Sequence, residues 1–213
     1  MFELQKFGNI PFNYTALAKM LHGYQSPYDK VSAMEKHGEI IRLKKGLYVV
    51  SDKISRKQIS RELIANHLYG VSYISLETAL SFYGMIPEKV HSVLSITTKR
   101  SKQFENPLGH FDFITVPTGY FPIGIRQQIV DNEFVFLIAT PEKAICDLIL
   151  STPHLRLQSV HAVQVYLEDD LRIDFSVLQN IDKDIIRQCS ETGKKKGELK
   201  FLLKFFEMKY GKS

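Results

Sequence analysis

The stretch from Ser26 to Val50, SPYDKVSAMEKHGEIIRLKKGLYVV, constrains the fold more than any other part of the chain, because it carries its own start and stop signals. Ser26 can accept a hydrogen bond from a free backbone N–H of the first turn. Pro27 has φ preset for a first helical position, and Asp29 lies near the positive helix end. A helix starts there. Val31 and Met34, three apart, face a core, and Gly38 ends the helix. Two β-prone runs follow, Ile40 to Leu43 and Leu47 to Val50, joined through Lys44, Lys45 and Gly46, where glycine permits the positive φ of a tight turn. The pattern is a helix followed by a basic hairpin.

A helix of about ten residues is roughly 15 Å long, and the major groove of B-DNA admits a helix. The candidate DNA-binding residues are Ser26, Tyr28, Lys30 and Lys36 on the helix and Arg42, Lys44 and Lys45 on the hairpin, where cations can reach phosphates or enter the minor groove. Tyr28 has an equally good reading as a half-buried ring beside Pro27. Upstream, NYTALAKMLHG places Leu17, Met20 and Leu21 at helical spacing, with Asn13 or Thr15 as cap. The link GYQ after Gly23 is the short turn a helix-turn-helix needs. Helix, turn, helix, hairpin is the order of a winged helix.

Charge has an address in this chain. Of 28 basic and 23 acidic residues, ten basic and five acidic ones fall within the first sixty positions, so the whole net charge of +5 resides there. The polyanion-binding candidate is therefore the N-terminal quarter, and the remainder is balanced. At 213 residues the chain can form two domains, which we place at 1–58 and 59–213. The opening MFELQKFGNIPF lacks a signal-peptide core and no run reaches membrane-spanning length, so a cytoplasmic location is expected. Cys146 and Cys189 have no CxxC or CxH spacing, which argues against a zinc site or a disulfide framework.

After the polar segment Asp52 to Lys57, ISRELIANHLYG reads as a helix with Ile59, Leu63, Ile64 and Leu68 on one side. The run VSYIS then meets a helix, LETALSFYG, capped by Ser75. HSVLSITT, HFDFITVP and EFVFLIA read as strands of one sheet. Thr140 and Pro141 open the helix PEKAICDLIL, and SVHAVQVYL, DFSVLQNI, DKDIIRQCS and GELKFLLKFFEMKY read as helices. Strands followed by helices, without strict alternation, predict an α+β fold: an N-terminal winged helix-turn-helix, then a larger mixed sheet-and-helix domain with a helical C-terminal tail.

Four segments, IIRLKKGLYVV, YISLETALSFYGMIPE, SITTKRSKQF and ATPEKAICDLI, stand in an order and spacing that resemble the AbiEi-type antitoxins of bacterial abortive-infection toxin–antitoxin operons (type IV). The resemblance covers roughly Thr15 to Leu150, and the last sixty or so residues match only as a helical tail. It implies an N-terminal winged helix that binds operator DNA and represses its own operon. It also implies a C-terminal domain that opposes a nucleotidyltransferase-like toxin without forming a stable complex. No cofactor and no catalytic role are expected of the chain.

Outside the N-terminal region, Thr97, Thr98, Lys99 and Arg100 end a strand with two hydroxyls and two cations, a candidate phosphate or RNA surface whose plainer reading is a solvated strand exit. Glu142 and Lys143 lie in a first helical turn, where the helix dipole already accounts for the glutamate, and neither is read as a functional residue. Lys194, Lys195 and Lys196 precede the last helix and are expected to be exposed. Two other classes stay open. One is an orphan winged-helix regulator whose second domain binds an effector, and the other a nuclease in which Asp112 and Glu133, on predicted strands, hold a hard metal ion. No GxSxG, HExxH or zinc-deaminase pattern is present.

Overall fold

The computed structural model describes residues 4–88, 90–178 and 181–211. After a 3-10 turn at Leu4–Phe7, strand β1 (Phe12–Asn13) leads into helix α1 (Tyr14–Met20), whose cap is Asn13: its side-chain oxygen accepts from the Ala16 N–H at 2.9 Å. Helix α2 (Pro27–Lys36) starts as its caps require, with the Ser26 hydroxyl accepting from the Asp29 N–H at 3.4 Å. Such a cap is worth about 1 kcal/mol. Strands β2 (Ile40–Lys44) and β3 (Leu47–Val50) pair antiparallel around Gly46 at φ +77°, and β1 joins the far side of β3.

Two cores share this hairpin. Ile40, Tyr48 and Val50 pack with Leu17, Val31 and Met34 in a small N-terminal core. Leu43 and Val49, on the opposite face, belong to the large core of the rest of the chain. Alternation along a strand does this, since neighbouring side chains point to opposite faces. Burying each such side chain contributes about 1.5–3 kcal/mol, so the hairpin is fixed to both regions.

A one-turn helix α3 (Asp52–Ser55) precedes α4 (Arg61–Leu68), capped by Ser60. Next come β4 (Ser72–Ile74), α5 (Leu76–Phe82), β5 (Val93–Thr97), β6 (Lys102–Asn106), β7 (Gly109–Thr115), β8 (Ile125–Val130) and β9 (Phe134–Ala139). The six strands β4 to β9 form one mixed sheet in the order β6-β7-β5-β4-β9-β8. Helices α6 (Pro141–Ser151), α7 (Val160–Val165), α8 (Lys183–Thr192) and α9 (Lys196–Tyr210) complete the fold. The architecture is α+β: helices and short strands at the N-terminus, then a larger region of sheet and helix. No described helix is long and apolar enough to cross a membrane.

The three expected strands of the larger region share the sheet, with β4 at its middle. Both sheet edges, β6 and β8, escape sequence patterning because their side chains are mostly exposed or half-buried and carry no apolar alternation. The helix expected over DFSVLQNI is a single 3-10 turn, Phe175–Val177, and Gln179 and Asn180 lie outside the described residues. Ser75 stands at the cap position of α5 but makes no capping bond; its hydroxyl donates to Asp147. Lys195, expected in solvent, instead donates to the carbonyls of Ile149 (3.0 Å) and Thr152 (2.6 Å) at the end of α6, where a cation offsets the helix dipole.

Candidate nucleic-acid interface

Helix α2 buries Val31 and Met34 and leaves its other face in solvent. Tyr28, Ser32 and Lys36 follow one another at four-residue spacing along that face and are exposed, with Tyr28 at 69%. The half-buried reading of Tyr28 is thereby excluded. Ser26 is exposed beside them, its oxygen already serving the cap. Lys30 is half-buried and turned toward the inter-helix link, its ammonium 5.4 Å from the centre of the Tyr24 ring. Ser32, missed in the sequence, could have been found by stepping four residues on from Tyr28.

On the hairpin, Arg42 and Lys45 are exposed. Lys44 differs: it is half-buried and its ammonium donates to the Leu68 carbonyl at the end of α4. Burial lowers its pKa, and the nearby charges of Lys102 and Lys99 lower it further. The hairpin cation at position 44 thus points back along the larger region, while Arg42 and Lys45 remain open to a ligand.

The strand exit of β5 divides sharply. Thr97 is wholly buried, its hydroxyl donating to the Val71 carbonyl at 3.0 Å and accepting from the Lys99 N–H at 3.2 Å. It closes the turn and is buried out of reach of a ligand, which corrects its place in the candidate surface. Thr98, Lys99 and Arg100 are exposed.

The most unusual chemistry lies where the sequence suggested none. Lys143 and Asp147, one turn apart on α6, form an ion pair at 3.3 Å with both side chains 0% exposed. Asp147 Oδ2 accepts from the Ser75 hydroxyl at 2.6 Å and the Tyr73 hydroxyl at 3.0 Å. Lys143 donates to the Tyr120 carbonyl at 3.0 Å and lies 3.1 Å from the centre of that residue's ring. Burial pushes the Asp147 carboxyl above the usual carboxylate range, opposed most strongly by Lys143. Neighbouring Glu142 is also buried and accepts from the Asp182 N–H at 3.0 Å, so the pair needs more than the dipole to explain it. The network clamps α6 to β4 and to the turn containing Tyr120. With its ionic groups wholly enclosed, it serves structure. Cys146 and Cys189 are buried and unbridged.

Comparison with protein-family models and with curated protein sequences gave no match. For the carboxylates of the nuclease reading, Asp112 lies on β7, as expected, but Glu133 lies in the turn between β8 and β9, where it pairs with Lys57 at 2.8 Å. Asp112 lines a depression with Gln103 and His110, and Glu133 is not part of it. Among the described residues no group of three or more His, Cys, Asp or Glu could hold a metal ion.

Proposed function

We propose that the chain is a DNA-binding regulator whose N-terminal region is a winged helix-turn-helix, with α2 laid in the major groove and the β2–β3 hairpin against the backbone. The observation that carries this reading is the free outer face of α2, bearing Tyr28, Ser32 and Lys36, beside a hairpin with exposed Arg42 and Lys45. A helix N-terminus and cations together suit phosphate, and exposed polar side chains suit base edges. The likeness to AbiEi-type antitoxins extends the proposal: the chain represses its own operon and opposes a nucleotidyltransferase-like toxin, with no stable complex between the two.

Selection of bound duplexes from genomic fragments, followed by anisotropy on the recovered sequence, tests the DNA reading. Arg42→Ala with Lys45→Ala should weaken binding on every sequence. Enrichment of no fragment above background would reject it. Co-expression with the neighbouring gene tests the antitoxin role: the full chain should restore growth when that gene is toxic, and failure to do so would leave a regulator alone.

One observation favours the effector-binding variant of this reading. Asn9, Arg61, Glu62, Phe82 and Phe134 line a cleft between the N-terminal region and the β8–β9 hairpin. A small molecule in that cleft would touch both regions, and a stabilising hit in a thermal-shift screen, lost in Phe82→Ala, would establish it.

A further inference from the structure

The hairpin and the β5–β6 turn are remote in sequence, yet their cations meet. Lys44 Nζ is 6.0 Å and Lys102 Nζ 4.8 Å from the centre of the Phe104 ring. Lys102 and Lys99 Nζ are 5.7 and 5.6 Å from the centre of the Tyr69 ring. Two half-buried rings therefore gather three ammonium groups. Arg100 is held next to them by its carbonyl, which accepts from the Tyr69 hydroxyl at 3.0 Å. Lys99 lies across Gly70, whose φ of +61° and missing Cβ give it room: a Cβ there would overlap the ammonium group.

None of Lys44, Lys99, Arg100 and Lys102 forms an ion pair with a described carboxylate. The crowding is felt within the protein, since Lys102 and Lys99 add to the burial that depresses the Lys44 pKa. Uncompensated like charge is relieved by a polyanion.

We propose that Lys99, Arg100 and Lys102 form a second phosphate-contacting surface, continuous with the basic hairpin, that extends the duplex footprint from the N-terminal region onto the edge of the large sheet. The proposal rests on the DNA-binding reading above and adds to it a surface that lies in the electrically balanced part of the chain. Duplex is favoured over single strands because the lysines already cover Tyr69 and Phe104. A stacking base would have to displace them, whereas a phosphate would not. B-DNA presents one charge per roughly 1.7 Å of axis, so a cluster of this extent faces several phosphates at once.

The test compares the full chain with a Lys99→Gln, Arg100→Gln, Lys102→Gln variant by fluorescence anisotropy. The probes are random-sequence duplexes of about one and about three helical turns and a single-stranded RNA, each over a range of salt. All three side chains are exposed, so the thermal midpoint should be unchanged, and a Lys99→Arg, Lys102→Arg variant should bind as the parent does. On the long duplex the neutralised variant should lose tenfold or more in affinity, and its slope of log K against log salt should flatten by up to about 0.9 per lost contact. The one-turn duplex should bind both proteins alike. If the parent binds the long duplex and the neutralised variant matches it in affinity and slope, the inference fails and the DNA reading stands. If the parent binds neither duplex, both fall. A loss confined to the RNA overturns the inference in favour of an RNA surface.

Discussion

Replacing Lys143 by Met should destabilise the protein far more than its surface lysines would suggest. The ammonium is the main opposing influence on a carboxyl that burial already pushes upward in pKa, and both groups are wholly enclosed. Removing one partner of a buried pair costs about 3–5 kcal/mol. The lower end is expected here, because Tyr73 and Ser75 still donate to Asp147 and Met keeps the apolar stem. At roughly 2–4 °C per kcal/mol for a chain of this size, the midpoint should fall by about 6–12 °C. Lys143→Met combined with Asp147→Leu should cost less than the sum of the single changes, since no charge is then left alone. Acidity sharpens the test. The folded state holds the Asp147 proton more tightly than the unfolded state, so the contribution of this group to stability falls as pH rises from its unfolded pKa to its folded one. Without Lys143 that window extends upward, and the penalty of Lys143→Met should grow between mildly acidic and alkaline pH. Urea unfolding across pH measures all of this. A penalty below about 1 kcal/mol, additive single changes, or a penalty that shrinks with rising pH would refute the reasoning.

Other consequences are simpler. Leu43→Ala should cost about 2–5 kcal/mol in urea unfolding, because this hairpin residue sits in the core of the larger region; a loss below 1 kcal/mol would mean that the hairpin is not tied there. Gly124→Ala should lower the thermal midpoint, since a Cβ at φ +61° would stand 2.8 Å from Lys143 Cβ and 2.9 Å from Ile185 Cγ2, and overpacking of this kind costs about 1–3 kcal/mol. Ser26→Ala should remove about 0.5–2 kcal/mol of cap energy while leaving the salt slope of DNA binding unchanged; a flatter slope would make Ser26 part of a phosphate contact.

Local signals carried the N-terminal region well. Asn13, Ser26, Pro27, Gly38 and Gly46 act within a few residues of themselves, so the helix limits and the hairpin could be read from spacing alone. Long-range partnership could not. Nothing near Lys143 announces that Ser75 and Tyr73 will reach Asp147 across some seventy positions, and a Lys and Asp four apart look like any solvated helix pair. The same blindness affected charge: counting by segment located the excess before residue 60, but folding brings Lys99 and Lys102 beside Lys44. Lys195 shows the reverse case, where a lysine run that reads as solvated surface hides one side chain that closes the end of another helix. The outer face of α2 was legible from periodicity, whereas the inward turn of Lys30 and Lys44 depended on Tyr24 and Leu68, whose positions only the tertiary structure sets.

The regulator reading is tested most directly by titrating the isotopically labelled full chain with duplex DNA and following its backbone amide resonances. The expected result is salt-sensitive movement concentrated at Tyr28, Ser32, Lys36, Arg42 and Lys45, with the interior around Lys143 and Asp147 unmoved. Resonances that stay still along α2 and the hairpin at saturating duplex would contradict it.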